Sequence, residues 1–322
     1  MPLSEFELID RFFRDCGARR TDVRLGVGDD AAVLECPTDR QLVAATDSIV
    51  EGVHFPAGSS PESIGHRALA VNLSDLAAMG AEPAWALLAL TMSRADEQWL
   101  REFSGGLCAL AREHGVALVG GDTTSGPLSV TVHVLGFVER ATALTRSGGS
   151  AGDAIYVSGT PGDAAAGLAL AQGRLTVEDG ADAAQLSRRF LFPTPRIALG
   201  RQLRAHASAC IDVSDGLLGD AGKLAAASGC GVALTFDELP LSPALTRAVG
   251  GERARMLALT GGDDYELLFS VHPDRIAALH GALPPEAWGY RRIGSLRAAP
   301  GAAVVRDGSV IDFSHYGFDH FA

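Results

Sequence analysis

The 322 residues carry 27 Lys and Arg against 39 Asp and Glu, a net charge of −12, which argues against a nucleic-acid or anionic-membrane footprint because either needs clustered positive charge. A hydrophobic fraction of 47% and a charged fraction of 20% are those of a globular chain long enough for two domains. No apolar run approaches the ~20 residues of a membrane span, and the opening Met1 to Phe13 carries Glu5, Glu7 and Asp10 where a signal peptide would be basic, so the expectation is a cytoplasmic protein. The five cysteines, Cys16, Cys36, Cys108, Cys210 and Cys230, are odd in number and form no Cys-x-x-Cys pair; they read as small buried residues in a reducing compartment.

Ser4 and Glu7 have capping-box spacing, with Phe6, Ile9 and Phe13 on one face behind them, and predict a short opening helix. A strand over Gln41 to Ala45 is expected to end at Thr46-Asp47. Ser60-Pro61 is an N-cap and N1 pair for a helix running to Met79, closed by Gly80. Trp85 to Met92 is apolar on both faces, the pattern of a strand covered on both sides. A helix from Asp96 to His114 precedes a strand at Val116 to Val119 that delivers Gly120-Gly121-Asp122, and Val130, Val132 and Val134 alternate with polar residues in a further strand. The Ser- and Gly-rich stretch from Arg146 to Gly152 marks a boundary between domains 1–148 and 149–322. Beyond it the strand and helix alternation resumes: strand at Ala154 to Val157, helix at Ala164 to Ala171, strand at Ala209 to Ile211, helix at Asp215 to Ala227. Strands at Gly231 to Phe236, Glu266 to Val271 and Arg291 to Leu296, with a hairpin at Asp307-Gly308, complete an α/β (α+β) fold.

Acidic residues set beside glycines recur through this pattern: Gly28-Asp29-Asp30, Thr46-Asp47, Gly120-Gly121-Asp122, Asp212-Val213-Ser214-Asp215-Gly216 and Gly261-Gly262-Asp263-Asp264. Lys223 is the only lysine in the chain. Two carboxylates about 5 Å apart repel by roughly 3 kcal/mol at an effective dielectric of 20, so a convergent set needs cations that the chain does not supply. Mg²⁺ favours such oxygens and shares its shell with substrate phosphates, which points to phosphoryl chemistry. The familiar phosphate templates are absent: there is no G-x-x-x-x-G-K-[ST], no H-R-D loop with a strand lysine, no G-x-G-x-x-G after a strand and no H-E-x-x-H. Each acidic motif alone has the composition of a turn or a cap. As a set, with Asp47, Asp122 and Asp212 at expected strand ends, they read as a metal site. Asp75 joins them, because it lies three residues after Asn72 in an otherwise apolar helix.

These runs, together with Asp47-Ser48-Ile49-Val50-Glu51-Gly52-Val53-His54-Phe55, Asn72-Leu73-Ser74-Asp75, Leu144-Thr145-Arg146-Ser147-Gly148 and Gly262-Asp263-Asp264-Tyr265-Glu266-Leu267, resemble the ordered motifs of thiamine-monophosphate kinases. The resemblance runs from residue 28 to the closing Gly317-Phe318-Asp319-His320-Phe321. It implies an N-terminal domain that binds metal and ATP and whose sheet packs against a dimer mate, followed by a C-terminal α/β domain. It implies Asp30, Thr46, Asp47, Asp75, Asp122, Asp212 and Asp215 as metal positions, with Thr46 coming from the resemblance alone. Gly121, Asp122, Arg146 and Ser214 would hold ATP phosphates, the Arg146 guanidinium being a natural bidentate partner. His54, Asp263 and Phe318 would hold thiamine monophosphate, Phe318 by stacking on a cationic ring. Three positions depart from the family pattern. Asp263 stands where Glu is commoner, Ala45 where a hydroxyl is common, and Ser104 where many members have a tyrosine near the nucleotide base.

The implied reaction is transfer of the γ-phosphoryl group of ATP to the phosphate of thiamine monophosphate, assisted by several Mg²⁺ ions, with no catalytic side chain because the acceptor is already an ionised phosphate. The alternatives are another synthetase of the wider superfamily, such as aminoimidazole-ribonucleotide synthetase, and a non-catalytic divalent-cation-binding protein. Selenophosphate synthetase is disfavoured, because no catalytic Cys or Lys appears in the N-terminal segment. No calcium loop of the D-x-[DN]-x-[DN]-G-x₅-E kind supports the non-catalytic reading.

Overall fold

The computed structural model describes residues 4–311 and 313. The chain divides into two compact units, Met1–Leu76 with Ala81–Thr142, and Ala77–Gly80 with Ala143–Ala322.

The first unit contains α1 (Glu5–Phe12), β1 (Val23–Leu25), β2 (Val33–Leu34), β3 (Arg40–Val50), α2 (Pro61–Ala78, counted with the second unit from Ala77), β4 (Glu82–Met92), α3 (Glu97–Glu113), β5 (Ala117–Ser125) and β6 (Ser129–Glu139). Ser4 and Glu7 close the reciprocal capping box expected of them, and Asp96 caps α3 through the Gln98 and Trp99 N–H groups. The four-stranded sheet runs in the order β3-β6-β4-β5, with only β4 and β5 parallel. β3 is longer than the sequence suggested, because it pairs with β6 from Arg40↔Glu139 to Val50↔Ser129. Thr46 and Asp47 therefore lie in mid-strand, and Asp122 likewise lies inside β5. The expectation that Asp47 and Asp122 close strands is corrected by this continuous pairing.

Helices α2 and α3 pack backbone to backbone, since a Cβ at Gly65 would lie 2.0 Å from the Phe103 carbonyl oxygen and one at Gly106 2.1 Å from that of Glu62. A second correction concerns the cysteines: Cys16 and Cys108 form a disulfide, joining the segment after α1 to α3. Their 92-residue separation hides an adjacency that only the packing of the chain end on α3 creates. Cys36, Cys210 and Cys230 are unpaired thiols, and Cys36 is exposed.

The second unit contains β7 (Ala154–Ser158), α4 (Asp163–Ala171), α5 (Gly180–Leu191), α6 (Ile197–Leu203), β8 (Ala209–Val213), α7 (Leu217–Ala227), β9 (Gly231–Thr235), α8 (Pro243–Val249), α9 (Gly251–Thr260), β10 (Glu266–Val271), α10 (Ile276–Ala282), α11 (Pro285–Trp288), β11 (Tyr290–Arg297), β12 (Gly301–Arg306) and β13 (Ser309–Ile311). Its seven strands run β13-β12-β9-β11-β7-β10-β8, antiparallel except for β9 with β12. Ile155, Ile211, Leu224, Leu268 and Val304 lie in one buried core cluster, and Ala166, Leu186, Leu245 and Ala254 in another. The β12-β13 hairpin turns at Asp307 (φ 49°) and Gly308 (φ 75°), the paired left-handed geometry for which an Asp-Gly step is suited. The fold is α/β with mixed sheets, as the sequence predicts.

Candidate functional site

In the first unit the sheet register decides which candidate residues share a face. Ser48, Thr131, Ala89 and Asp122 lie side by side across the four strands, and the Ser48 and Thr131 hydroxyls meet at 2.6 Å. Thr46, His133, Leu87 and Gly120 form the next row on that same face. Successive side chains alternate, so Asp47 points to the opposite face. There its backbone N–H donates to Asn72 Oδ1 at 2.8 Å, while Asn72 Nδ2 donates to the Ala68 carbonyl at 2.9 Å. Asn72 is fully buried, and Asp75 lies one turn further along α2, half-buried. The candidate set thus splits: Asp47 and Asp75 lie toward α2, Thr46 and Asp122 on the other face.

A cavity of about 1170 Å³ on the Asp122 side is lined by Asp30, Gly121, Asp122, His133 and Arg14. Only glycine fits at 121, where φ is 148° and a Cβ would lie 1.8 Å from the Leu88 carbonyl oxygen. His54 is half-buried after β3, and its Nδ1 accepts the Val50 N–H at 3.0 Å, which places the proton of the neutral ring on Nε2. His54 can therefore donate a hydrogen bond from Nε2 to an anion.

In the second unit the Asp212–Gly216 and Gly261–Tyr265 loops are stitched together. The Asp263 N–H donates to the Ser214 carbonyl and the Tyr265 N–H to the Val213 carbonyl, both at 2.8 Å. Asp263 (φ 72°) and Tyr265 (φ 51°) both take left-handed backbone, a costly arrangement for non-glycine residues that persists only when the surroundings dictate it. Those surroundings are buried and charged. The Asp264 carboxylate accepts the Gly162 N–H at 2.8 Å at the start of α4, and burial pushes its pKa well above the ordinary carboxylate value. Glu266, fully buried, accepts from Arg189 Nη2 and Arg196 Nε, each at 2.6 Å, and from the Ser158 hydroxyl. Burial acts against its charge, but Arg196 and Arg189 outweigh it and hold the pKa below normal.

The Asp212–Gly216 loop is held by α7. Asp220 is 1% exposed, and its Oδ2 accepts three consecutive N–H groups: Ser214 and Asp215 at 3.0 Å and Gly216 at 3.3 Å. Lys223 Nζ donates to Asp220 Oδ1 at 2.9 Å and to Asp215 Oδ2 at 2.5 Å. Asp212 is 5% exposed at the end of β8.

The family described as AIR synthase related protein, N-terminal domain, matches residues 28–138, and its C-terminal counterpart matches residues 150–305. The thiamine-monophosphate kinase of Salmonella typhimurium is 48% identical over 323 residues, spanning 100% of this chain and 99% of that one. The chain belongs to the thiamine-monophosphate kinase family. The crystal structure of the Stenotrophomonas maltophilia K279a thiamine-monophosphate kinase superposes with a TM-score of 0.85 at 47% identity, over 97% of this chain and 99% of that one. AaThiL complexed with AMPPCP and TMP superposes with a TM-score of 0.77 at 32% identity, over 98% of each chain.

Within this thiamine-monophosphate kinase family frame, the first unit gathers Asp30, Gly121 and Asp122 at one cavity, and the second joins Ser214, which lies between Asp212 and Asp215 in sequence, to Asp263 by a backbone hydrogen bond. Arg146 is exposed, its carbonyl accepting the Ser228 hydroxyl at 3.0 Å. Phe318 lies outside the described residues. Among the described residues, no three His, Cys, Asp or Glu side chains gather closely enough to hold a metal ion by themselves. Ala45 shares the Asp47 face of β3. Ser104 is buried in α3 with its hydroxyl on the Arg101 carbonyl. Sequence reasoning missed Asp220, which carries the D-V-S-D-G loop. The signal was present as an Asp four residues after a glycine in the first turn of a helix, where a carboxylate favours the helix N-terminus.

Proposed function

We infer that this chain transfers the γ-phosphoryl group of ATP to thiamine monophosphate, giving thiamine diphosphate and ADP. One observation carries the reading: end-to-end correspondence with thiamine-monophosphate kinases, one of them 48% identical and another complexed with AMPPCP and TMP. The reaction belongs in the cytoplasm, where ATP is abundant, and no described helix is long and apolar enough to cross a membrane.

The candidate ligands fit Mg²⁺ of one kind. They offer carboxylate and hydroxyl oxygens, yet no three carboxylates gather among the described residues. That donor set does not make an all-protein cage; it suits ions that keep waters and complete their shells with phosphate oxygens. Asp30, Thr46, Asp47, Asp75 and Asp122 in the first unit and Asp212 and Asp215 in the second would hold them. Bound there, Mg²⁺ would supply charge neutralisation for the nucleotide and for the transferring group.

The chain's own residues have separate tasks. The Ser214 N–H is committed to Asp220, so a phosphate contact at Ser214 falls to its hydroxyl. Gly121 gives close backbone approach, and Arg146 presents an exposed guanidinium. His54 can donate to the acceptor phosphate from Nε2, with Asp263 and Phe318 as the other acceptor contacts. No side chain need act as nucleophile or base, since the acceptor oxygen is ionised at neutral pH.

A two-fold dimer completes the proposal. One face of the four-stranded sheet carries Leu42, 48% exposed, beside Ala44, Thr46, Ser48 and His133, while Val130, Val132 and Val134 on the other face are buried. A second copy is the economical cover. Light scattering at micromolar concentration is expected to give twice the chain mass, and a monomer would contradict it.

Product analysis tests the reaction. With ATP, Mg²⁺ and thiamine monophosphate, ADP and thiamine diphosphate should form in equal amounts, and free thiamine should be a poor acceptor because its neutral hydroxyl needs a base. ATP turnover without thiamine diphosphate would favour another synthetase of the superfamily, and no turnover a cation-binding protein.

A further inference from the structure

We propose that Lys223 is a tethered counter-ion that neutralises Asp215 when no divalent cation is bound and yields that carboxylate when one arrives, so that it sets the cation affinity of the D-V-S-D-G loop. The proposal rests on the reading of Asp215 as a metal ligand.

Three observations carry it. Lys223 Nζ bridges Asp215 Oδ2 and Asp220 Oδ1, and the two carboxylates differ in kind. Asp220 is almost fully buried and fixed by three backbone N–H groups, whereas the Asp215 side chain is 37% exposed. The ammonium is thus anchored at one end and paired at the other with a carboxylate that solvent reaches. Secondly, the Lys223 side chain is itself 45% exposed, so it can leave Asp215 for water without uncovering a buried charge. Asp220 then keeps it close by. Thirdly, the residue type is singular: every other cationic side chain among the 27 Lys and Arg is arginine. An arginine grips a carboxylate through a planar two-pronged fork, while a lysine is a point charge on a flexible stem. At a site where a cation must be exchanged for another, the displaceable one suits the task.

A positive charge held against a ligand carboxylate repels an incoming divalent ion, and removing it should tighten binding by a factor on the order of 10 at a partly exposed site. The single lysine makes the exchange directly readable, because amine acylation of the folded protein reports only Lys223 and the α-amino group, which peptide mass separates.

The test follows the acylation rate of Lys223 in the full-length protein as Mg²⁺ is titrated at fixed AMPPCP, alongside Mg²⁺ affinity by calorimetry in wild type, Lys223→Met, Lys223→Arg and Asp215→Asn. Expected are an acylation rate that rises about 5-fold or more with Mg²⁺, tighter Mg²⁺ in Lys223→Met, weaker Mg²⁺ in Lys223→Arg, and fast Mg²⁺-independent acylation in Asp215→Asn. If Asp215→Asn weakens Mg²⁺ binding while Lys223 acylation ignores Mg²⁺ and Lys223→Met binds like wild type, the inference is overturned and the metal reading stands. If Asp215→Asn binds Mg²⁺ like wild type, Asp215 is not a ligand and both fall.

Discussion

The two units prepare their candidate residues in opposite ways. In the first, Thr46, Asp47 and Asp122 stand on strands, spaced by sheet register and exposed. In the second, the Asp212–Gly216 and Gly261–Tyr265 loops hold each other through backbone bonds, over buried Asp220, Asp264 and Glu266. One half spaces its carboxylates by sheet register, and the other is a loop pair held in shape by its own backbone bonds. Substituting a presented carboxylate should therefore cost activity alone, whereas substituting one that holds a loop should cost stability as well.

Asp220→Ala breaks the comparison most strongly. It leaves three N–H groups without their acceptor and Lys223 without its anchor, and should lower unfolding stability by about 3 kcal/mol in denaturant titrations, unlike any of the first-unit variants. Asp47→Asn and Asp122→Asn should each lower kcat by at least ~100-fold, about 2.7 kcal/mol in the barrier, with a melting temperature near that of wild type. Near-normal turnover in both would remove the first unit from the chemistry. Phe318→Ala should raise KM for thiamine monophosphate by ~10 to 100-fold, about 1.4 to 2.7 kcal/mol, leaving KM for ATP nearly unchanged. Asp263→Glu should be tolerated where Asp263→Ala is not.

The smallest effect is one of pH. Burial raises the folded-state pKa of Asp264, so its contribution to stability is fully present below the unfolded value and is lost as pH rises through the folded one. Glu266 is depressed by Arg196 and Arg189 against the cost of burial, so its contribution is present above the unfolded value and is lost as pH falls through the folded one. Asp264→Asn abolishes only the first. The difference in melting temperature, variant minus wild type, should become more positive from pH 5 to pH 8; a flat difference would show that Asp264 does not titrate in this way.

Much of this was legible in the chain. Helix ends were written in Ser4, Ser60 and Asp96, and the β12-β13 turn in Asp307-Gly308, because caps and tight turns are decided by neighbouring residues. The length of β3 was not legible, since its last residues are extended by pairing with β6 about 80 positions away. The Cys16–Cys108 contact escaped for the same reason. Motif residues at the site stood out by their Asp and Gly composition, but the side chains that hold them did not. Asn72 and Glu266 act through partners distant in sequence, which composition does not show, and Asp220 acts through backbone groups, with only its place in the first turn of α7 to mark it.

The central claim is that phosphoryl transfer here is direct, with positioned phosphates and no protein nucleophile. The stereochemical course with ATP made chiral at the γ-phosphorus by oxygen isotopes tests it in one measurement. Inversion at the transferred phosphorus of thiamine diphosphate is the result predicted, because a single in-line displacement inverts. Retention would require two displacements through a phosphorylated residue, and would contradict the account.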